Sequence, residues 1–97
     1  MVQTMKKNIL IIFGGVSSEH EVSIITGLQI LENIDKEAYN PISLYITKDG
    51  QFQLMPSLKN RKGFFKEKRI RCKLGKDPHG SYVEYGALNK HIYIYAA

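Results

Sequence analysis

The sequence predicts an α/β domain of Rossmann-like, three-layer form, with a mainly parallel sheet and an antiparallel hairpin excursion. Three observations point there. "NILIIF", residues 8–13, is a continuous apolar run ended by two glycines, the pattern of a strand buried on both faces. An apolar stripe at helical spacing follows it, and "ISLYIT", residues 42–47, is a second β-rich run. Together they make a β-α-β unit, whose crossover is right-handed in nearly all proteins, so the two strands are expected to be parallel.

The helix has its own start signal. Ser18 and Glu21 stand in the S-x-x-E relation of a capping box, in which each side chain accepts from an otherwise unpaired backbone N–H. Beyond them Ile24, Gly27, Leu28, Ile30, Leu31 and Ile34 fall on one arc of roughly 160°. Glu19, Thr26, Gln29, Glu32 and Asn33 fall opposite. Val22 and Ile25 break the polar arc, and they are expected to meet another domain, a second subunit, or the segment 55–68 folded back over them. Turn formers at 35–41 close the helix.

After the second strand the texture changes. "KDG", residues 48–50, signals a hairpin turn into "QFQLM", and residues 56–68 show no period. "RIRCKL", residues 69–74, alternates strictly, with Ile70, Cys72 and Leu74 on one face and basic groups on the other. "GKDPHG" turns the chain into "SYVEY", and "HIYIYAA" is a last apolar run. A strand with no following helix would leave one face of a parallel sheet uncovered, so residues 1–97 are expected to be one domain cut short at its C-terminal end.

Composition narrows the class. No run approaches the roughly 20 apolar residues of a membrane span, and no signal-peptide layout opens the chain, so a cytoplasmic protein without a membrane partner is expected. The single cysteine, Cys72, cannot form an internal disulfide and is read as a small buried apolar residue. The net charge of +5 is local: residues 59–76 hold nine basic groups and one acidic. That segment reads as a solvated loop and strand face, and no nucleic-acid partner is expected.

The loop "GGVSSE" opens the helix beyond the carboxyl end of the first strand, where α/β sheets bind ligands. It lacks the third glycine of a dinucleotide fingerprint and the G-K-[ST] ending of a phosphate loop. Glu19 and Glu21 in the first turn would repel an anion, while the helix dipole favours their own charge. The loop therefore suits a cation. His20 is read as a packed or hydrogen-bonded helix residue, and His79 and His91 as incidental.

"FGGVSSEHEVS" at 13–23, the apolar helix after it and "ITKDGQF" at 46–52 resemble the N-terminal segment of the D-alanine:D-alanine ligase family, bacterial ATP-grasp enzymes. About half the chain carries the resemblance strongly; "IYIYAA" is similar to the strand that leads into a leucine-histidine-glycine motif in that family, and the sequence ends where that motif would begin. The resemblance implies a pre-ATP-grasp domain of an ATP-dependent ligase that makes D-Ala-D-Ala for peptidoglycan. It implies that Glu19 holds the ammonium of the first D-alanine, that Gly14 and Gly15 let the backbone approach the substrate, and that Ser18 shapes the turn. ATP and Mg2+ (or Mn2+) would be bound by the ATP-grasp domains, with no cofactor or metal site in this chain. The parent is expected to be a homodimer and the 97 residues alone to be inactive. A stand-alone module binding a small amine or amino acid, or a basic nucleic-acid-binding domain, are the alternatives.

Overall fold

The computed structural model describes residues 6–95. Residues 96–97, the end of the last apolar run, lie outside them. The elements are β1 (Lys7–Gly14), α1 (His20–Asn33), β2 (Tyr39–Ile46), β3 (Phe52–Leu54), β4 (Ile70–Asp77), β5 (Gly80–Tyr85) and β6 (Lys90–Tyr93), with a 3-10 turn at Arg61–Gly63. The strands form one sheet in the order β1-β2-β3-β4-β5-β6.

β1 and β2 are parallel as expected, with Lys7 opposite Tyr39 and Gly14 opposite Ile46. Every other neighbouring pair is antiparallel, which corrects the expectation of a mainly parallel sheet. Connection length explains the difference at the hairpins, while β3 and β4 pair antiparallel across the long segment 55–69. A parallel return needs a crossover of about a dozen residues or more, whereas the turns at Thr47–Gly50 and after Asp77 are tight and reverse the chain. The last apolar run, expected in a parallel sheet, supplies β6, antiparallel to β5, with Tyr93 and Tyr95 exposed, and in β1, expected to be buried on both faces, Ile12 is 50% exposed.

The layers also differ from the Rossmann-like expectation. α1 packs on one face of β1 and β2, where Ile11, Phe13 and Tyr45 meet Leu28, Leu31, Met55, Leu58 and Phe64. No second helix covers the other face among the described residues. Instead the sheet curls, and Leu44 and Leu54 pack with Cys72 and Val83 from its far half. Side chains buried to this degree contribute about 1.5–3 kcal/mol each. The curl brings the two ends of the sheet together: Asn8 Nδ2 donates to the Tyr93 carbonyl at 2.9 Å, and the Tyr95 N–H donates to the Asn8 carbonyl at 2.7 Å.

Two expectations about α1 need correction. The capping box is absent: the helix starts one residue later than read, Glu19 is the N-cap, and no side chain caps it. Ser17 takes the turn instead, its Oγ accepting from the Glu19 N–H at 3.2 Å. Ile30, at the rim of the apolar arc, is 49% exposed. Segment 55–68 does fold onto the helix flank, held where Glu32 accepts from the Arg61 N–H at 2.9 Å and from its Nε at 3.1 Å. It does not cover Val22 and Ile25, which stay 57% and 53% exposed.

Candidate functional site

The loop between β1 and α1 lies beyond the carboxyl ends of the two parallel strands and is fastened from three sides. The Gly15 N–H donates to the Ile46 carbonyl at 2.8 Å, and the Gly14 N–H donates to Ser23 Oγ at 3.0 Å. From the helix, His20 Nδ1 bonds the Gly15 carbonyl. A carbonyl only accepts, so Nδ1 carries the proton, and in the neutral ring Nε2 accepts from the Tyr45 hydroxyl at 2.9 Å. His20 is 4% exposed and its ring meets Tyr45 edge-on.

Glycine is required at Gly14 by space and conformation. Its φ is +92°, and a Cβ there would stand 2.2 Å from the Ile46 carbonyl oxygen. Gly15 shares the positive φ, at +110°, but an added Cβ would meet nothing within 4 Å. Gly14 is thus a packing position, and Gly15 turns its open side away from the protein's own atoms.

Ser18 and Glu19 are exposed at the start of α1. Among the described residues no cation pairs with the Glu19 carboxylate, whereas Glu21 lies 4.0 Å from Lys48 Nζ on the β2–β3 turn. That turn is internally tied, with the Thr47 hydroxyl donating to Asp49 and accepting from the Gln51 N–H at 2.9 Å. It abuts the loop, since a Cβ on Gly50 would lie 3.6 Å from Val16 Cγ2. The arrangement presents one uncompensated carboxylate beside bare backbone, chemistry suited to an ammonium or another small cation.

The four residues singled out from the sequence fall in this one loop, and none lines the neighbouring groove of about 500 Å3. That groove runs along α1 past His20, Ile25, Tyr45 and Phe65. His20, Tyr45 and Ser23 are the residues the sequence reading missed as supports of the loop. Ser23 lies inside the quoted motif, and a histidine opening the helix was visible, but its partner Tyr45 is 25 positions away on another strand. His79 and His91 lie outside the loop; His91 Nε2 donates to Glu84 at 2.9 Å and stacks on Tyr82 at 3.9 Å. Among the described residues no three His, Cys, Asp or Glu side chains gather as a metal cluster.

With this geometry in view, residues 8–93 match the family model described as D-ala D-ala ligase N-terminus. The chain belongs to that family. The D-alanine--D-alanine ligases of two Staphylococcus epidermidis strains are each 52% identical to it over 48 residues, half of this chain and 13% of theirs. The VanG D-Ala:D-Ser ligase of Enterococcus faecalis superposes with a TM-score of 0.74 at 23% identity over 93% of this chain and 27% of that one. The D-Alanine-D-Alanine ligase of Helicobacter pylori gives 0.51 at 20% identity over the same shares. At such identities these likenesses speak for the ligase N-terminal fold alone. The matched half of the chain spans 13% of the curated relatives' length.

Proposed function

We propose that this chain is the substrate-facing N-terminal domain of an ATP-dependent, cytoplasmic D-alanine:D-alanine ligase, which makes the D-Ala-D-Ala dipeptide for peptidoglycan. The observation that carries the reading is the exposed Glu19 carboxylate, unpaired among the described residues and set where the motif of this family begins its helix. Glu19 binds the ammonium of the first D-alanine, Gly15 leaves room for the substrate beside it, and Gly14 and Ser17 set the course of the loop. His20 and Tyr45 orient the loop without touching substrate.

Glu19 and Glu21 in the first helical turn repel phosphate, so these residues do not fit ATP, and among the described residues no three ligand-type side chains gather to hold its Mg2+. Those groups belong to the remainder of the protein, where they supply activation of the D-alanine carboxyl. The isolated chain accordingly turns over no substrate. Val22 and Ile25 form the face offered to the following domain or to a second subunit.

The test is made in the full-length protein. Glu19→Gln keeps shape and removes charge, and it should raise KM for the first D-alanine while ATP binding stays unchanged. A charge-assisted hydrogen bond corresponds to about 1.5–3 kcal/mol, a loss of roughly 10- to 150-fold in kcat/KM. Unaltered steady-state constants for D-alanine would remove Glu19 from the site.

A further inference from the structure

The charge excess of residues 59–76 is not absorbed by the reading above. At its centre Phe64 and Phe65 part ways. Phe64 is 5% exposed and locked in the front core, while Phe65 is 88% exposed and held outward against it, the ring centroids 5.0 Å apart at 77°. The base of the loop is fixed. Asn60 Oδ1 accepts from the Gly63 N–H at 3.2 Å, Glu32 grips Arg61, and Arg69 Nη2 donates to the Phe64 carbonyl at 2.8 Å.

The charges around Phe65 divide by type. The two arginines that flank the loop tip are engaged within the chain, Arg61 with Glu32 and Arg69 over the rings of Tyr45 and Phe64, while the exposed Arg71 lies farther on, in β4. Lys59, Lys62, Lys66 and Lys68 are exposed, and among the described residues no carboxylate pairs with them. Arginine is the side chain that recognises individual phosphates of a nucleic acid through its planar fork, and at the loop tip itself that capacity is taken. What remains is a set of mobile point charges around one aromatic side chain at a loop tip, with no second exposed ring beside it to stack successive bases. This combination fits an anionic lipid surface, where lysines sit among headgroups and a ring enters the acyl boundary.

We propose that the Phe65 loop docks the protein reversibly on an anionic membrane surface, with Phe65 as the inserting side chain and Lys59, Lys62, Lys66 and Lys68 as its electrostatic footing. Such a contact needs no spanning helix, and no helix among the described residues is long and apolar enough to be one. It replaces the expectation of no membrane partner with one of surface attachment, and it is independent of the role given to Glu19. Binding is weak, because a single ring and four charges fall short of two-anchor attachment.

The test is co-sedimentation of the full-length protein with vesicles of phosphatidylglycerol and phosphatidylcholine, against phosphatidylcholine alone, at low and physiological salt. The protein should bind the anionic vesicles, less so as salt rises. Lys62→Ala with Lys66→Ala should lower the partition coefficient roughly 25-fold, about fivefold per lysine. Phe65→Ser should lower it while leaving the circular dichroism spectrum unchanged, since the ring is exposed. Failure to bind anionic vesicles, or equal binding of both vesicle types, overturns the proposal. So does a Phe65→Ser change that affects only RNA binding, or only the concentration dependence of sedimentation velocity, which would assign the loop to nucleic acid or to a second copy.

Discussion

The two faces of the sheet are built by opposite means. In front, β1, α1 and β2 follow one another and bury Phe13, Leu28, Leu31 and Tyr45 between helix and strand. Behind, the sheet's own curled half lays Cys72 and Val83 on Leu44 and Leu54. The front carries a loop with bare backbone and an exposed carboxylate; the back has tight turns and an outer surface where Tyr82 rests on Gly75, stacked by His91. A loop can be poised beyond the end of β1 only if that strand is held from both sides. The hairpins therefore take the place that helices fill in a doubly wound sheet, and they position the site without contributing to it.

The sharpest way to break this comparison is to empty one core at a time. Leu31→Ala and Leu54→Ala should each cost about 2–5 kcal/mol, since both side chains are almost wholly enclosed. What should differ is the location of the damage in amide exchange. The first exposes α1 and segment 55–68, the second β4 to β6. Uniform loss of protection in both variants would show that the halves unfold as one unit.

The next largest effect separates the two glycines of the loop. Gly14→Ala combines a left-handed φ with a backbone collision and should cost about 2–4 kcal/mol by thermal unfolding. Gly15→Ala has the conformational part alone, about 1–2 kcal/mol. Equal losses would mean that the Ile46 carbonyl yields freely. A smaller loss, about 1–2 kcal/mol, is expected from Tyr45→Phe, which leaves the buried His20 Nε2 without its donor. On the proposed function, this variant of the full-length protein should also weaken D-alanine binding, and His20→Ala should match it if the pair acts only by holding the Gly15 carbonyl.

The smallest effect is acidic and falls mainly on the back. Asp77 and Glu84 are held below the ordinary carboxylate range, Asp77 chiefly by the Tyr93 hydroxyl and Glu84 chiefly by His91 and then Lys73. A carboxylate with a depressed folded value contributes stability above its unfolded value, and that contribution is lost as pH falls through the folded one. The β5–β6 hairpin should thus loosen below about pH 4, more weakly at high salt because the groups stay partly open to solvent. Glu32, lowered first by the Arg61 N–H, gives the front one such carboxylate against the back's two. Amide shifts of β6 followed through an acid titration would show it, and Glu84→Gln should flatten the response at Lys73 and His91.

The same division governs what could be read from sequence. β1, α1 and β2 were readable because "NILIIF", the Ile24–Leu28–Leu31 stripe and "ISLYIT" are each defined by neighbours along the chain. The alternation around Cys72 marked a strand whose inner side holds Ile70 and Cys72, although Leu74, read on the same face, is 44% exposed. Where that strand lies was not readable, because the face it covers belongs to Leu44 and Leu54, and nothing in local pattern says that a sheet will curl. β6 was misjudged for a related reason: "IYIY" looks apolar throughout, yet its tyrosines face outward and its isoleucines inward. At the site, Gly14, Gly15 and Glu19 stood out by type, but the serine that shapes the turn was misplaced by one position. His20 had no visible task until Tyr45 came beside it.

The clasp between Asn8 and residues Tyr93 and Tyr95 bears on how the molecule folds. It joins positions up to 87 apart through two hydrogen bonds. Closing so long a loop costs roughly 4 kcal/mol of chain entropy, more than two such bonds return, so the clasp cannot nucleate anything and must form after the rest is in place. The β-α-β unit, with short-range contacts and its own core, is the natural nucleus. Structure at the clasp then governs how fast the molecule comes apart and hardly how fast it assembles, which makes this seam the point where native lifetime is set.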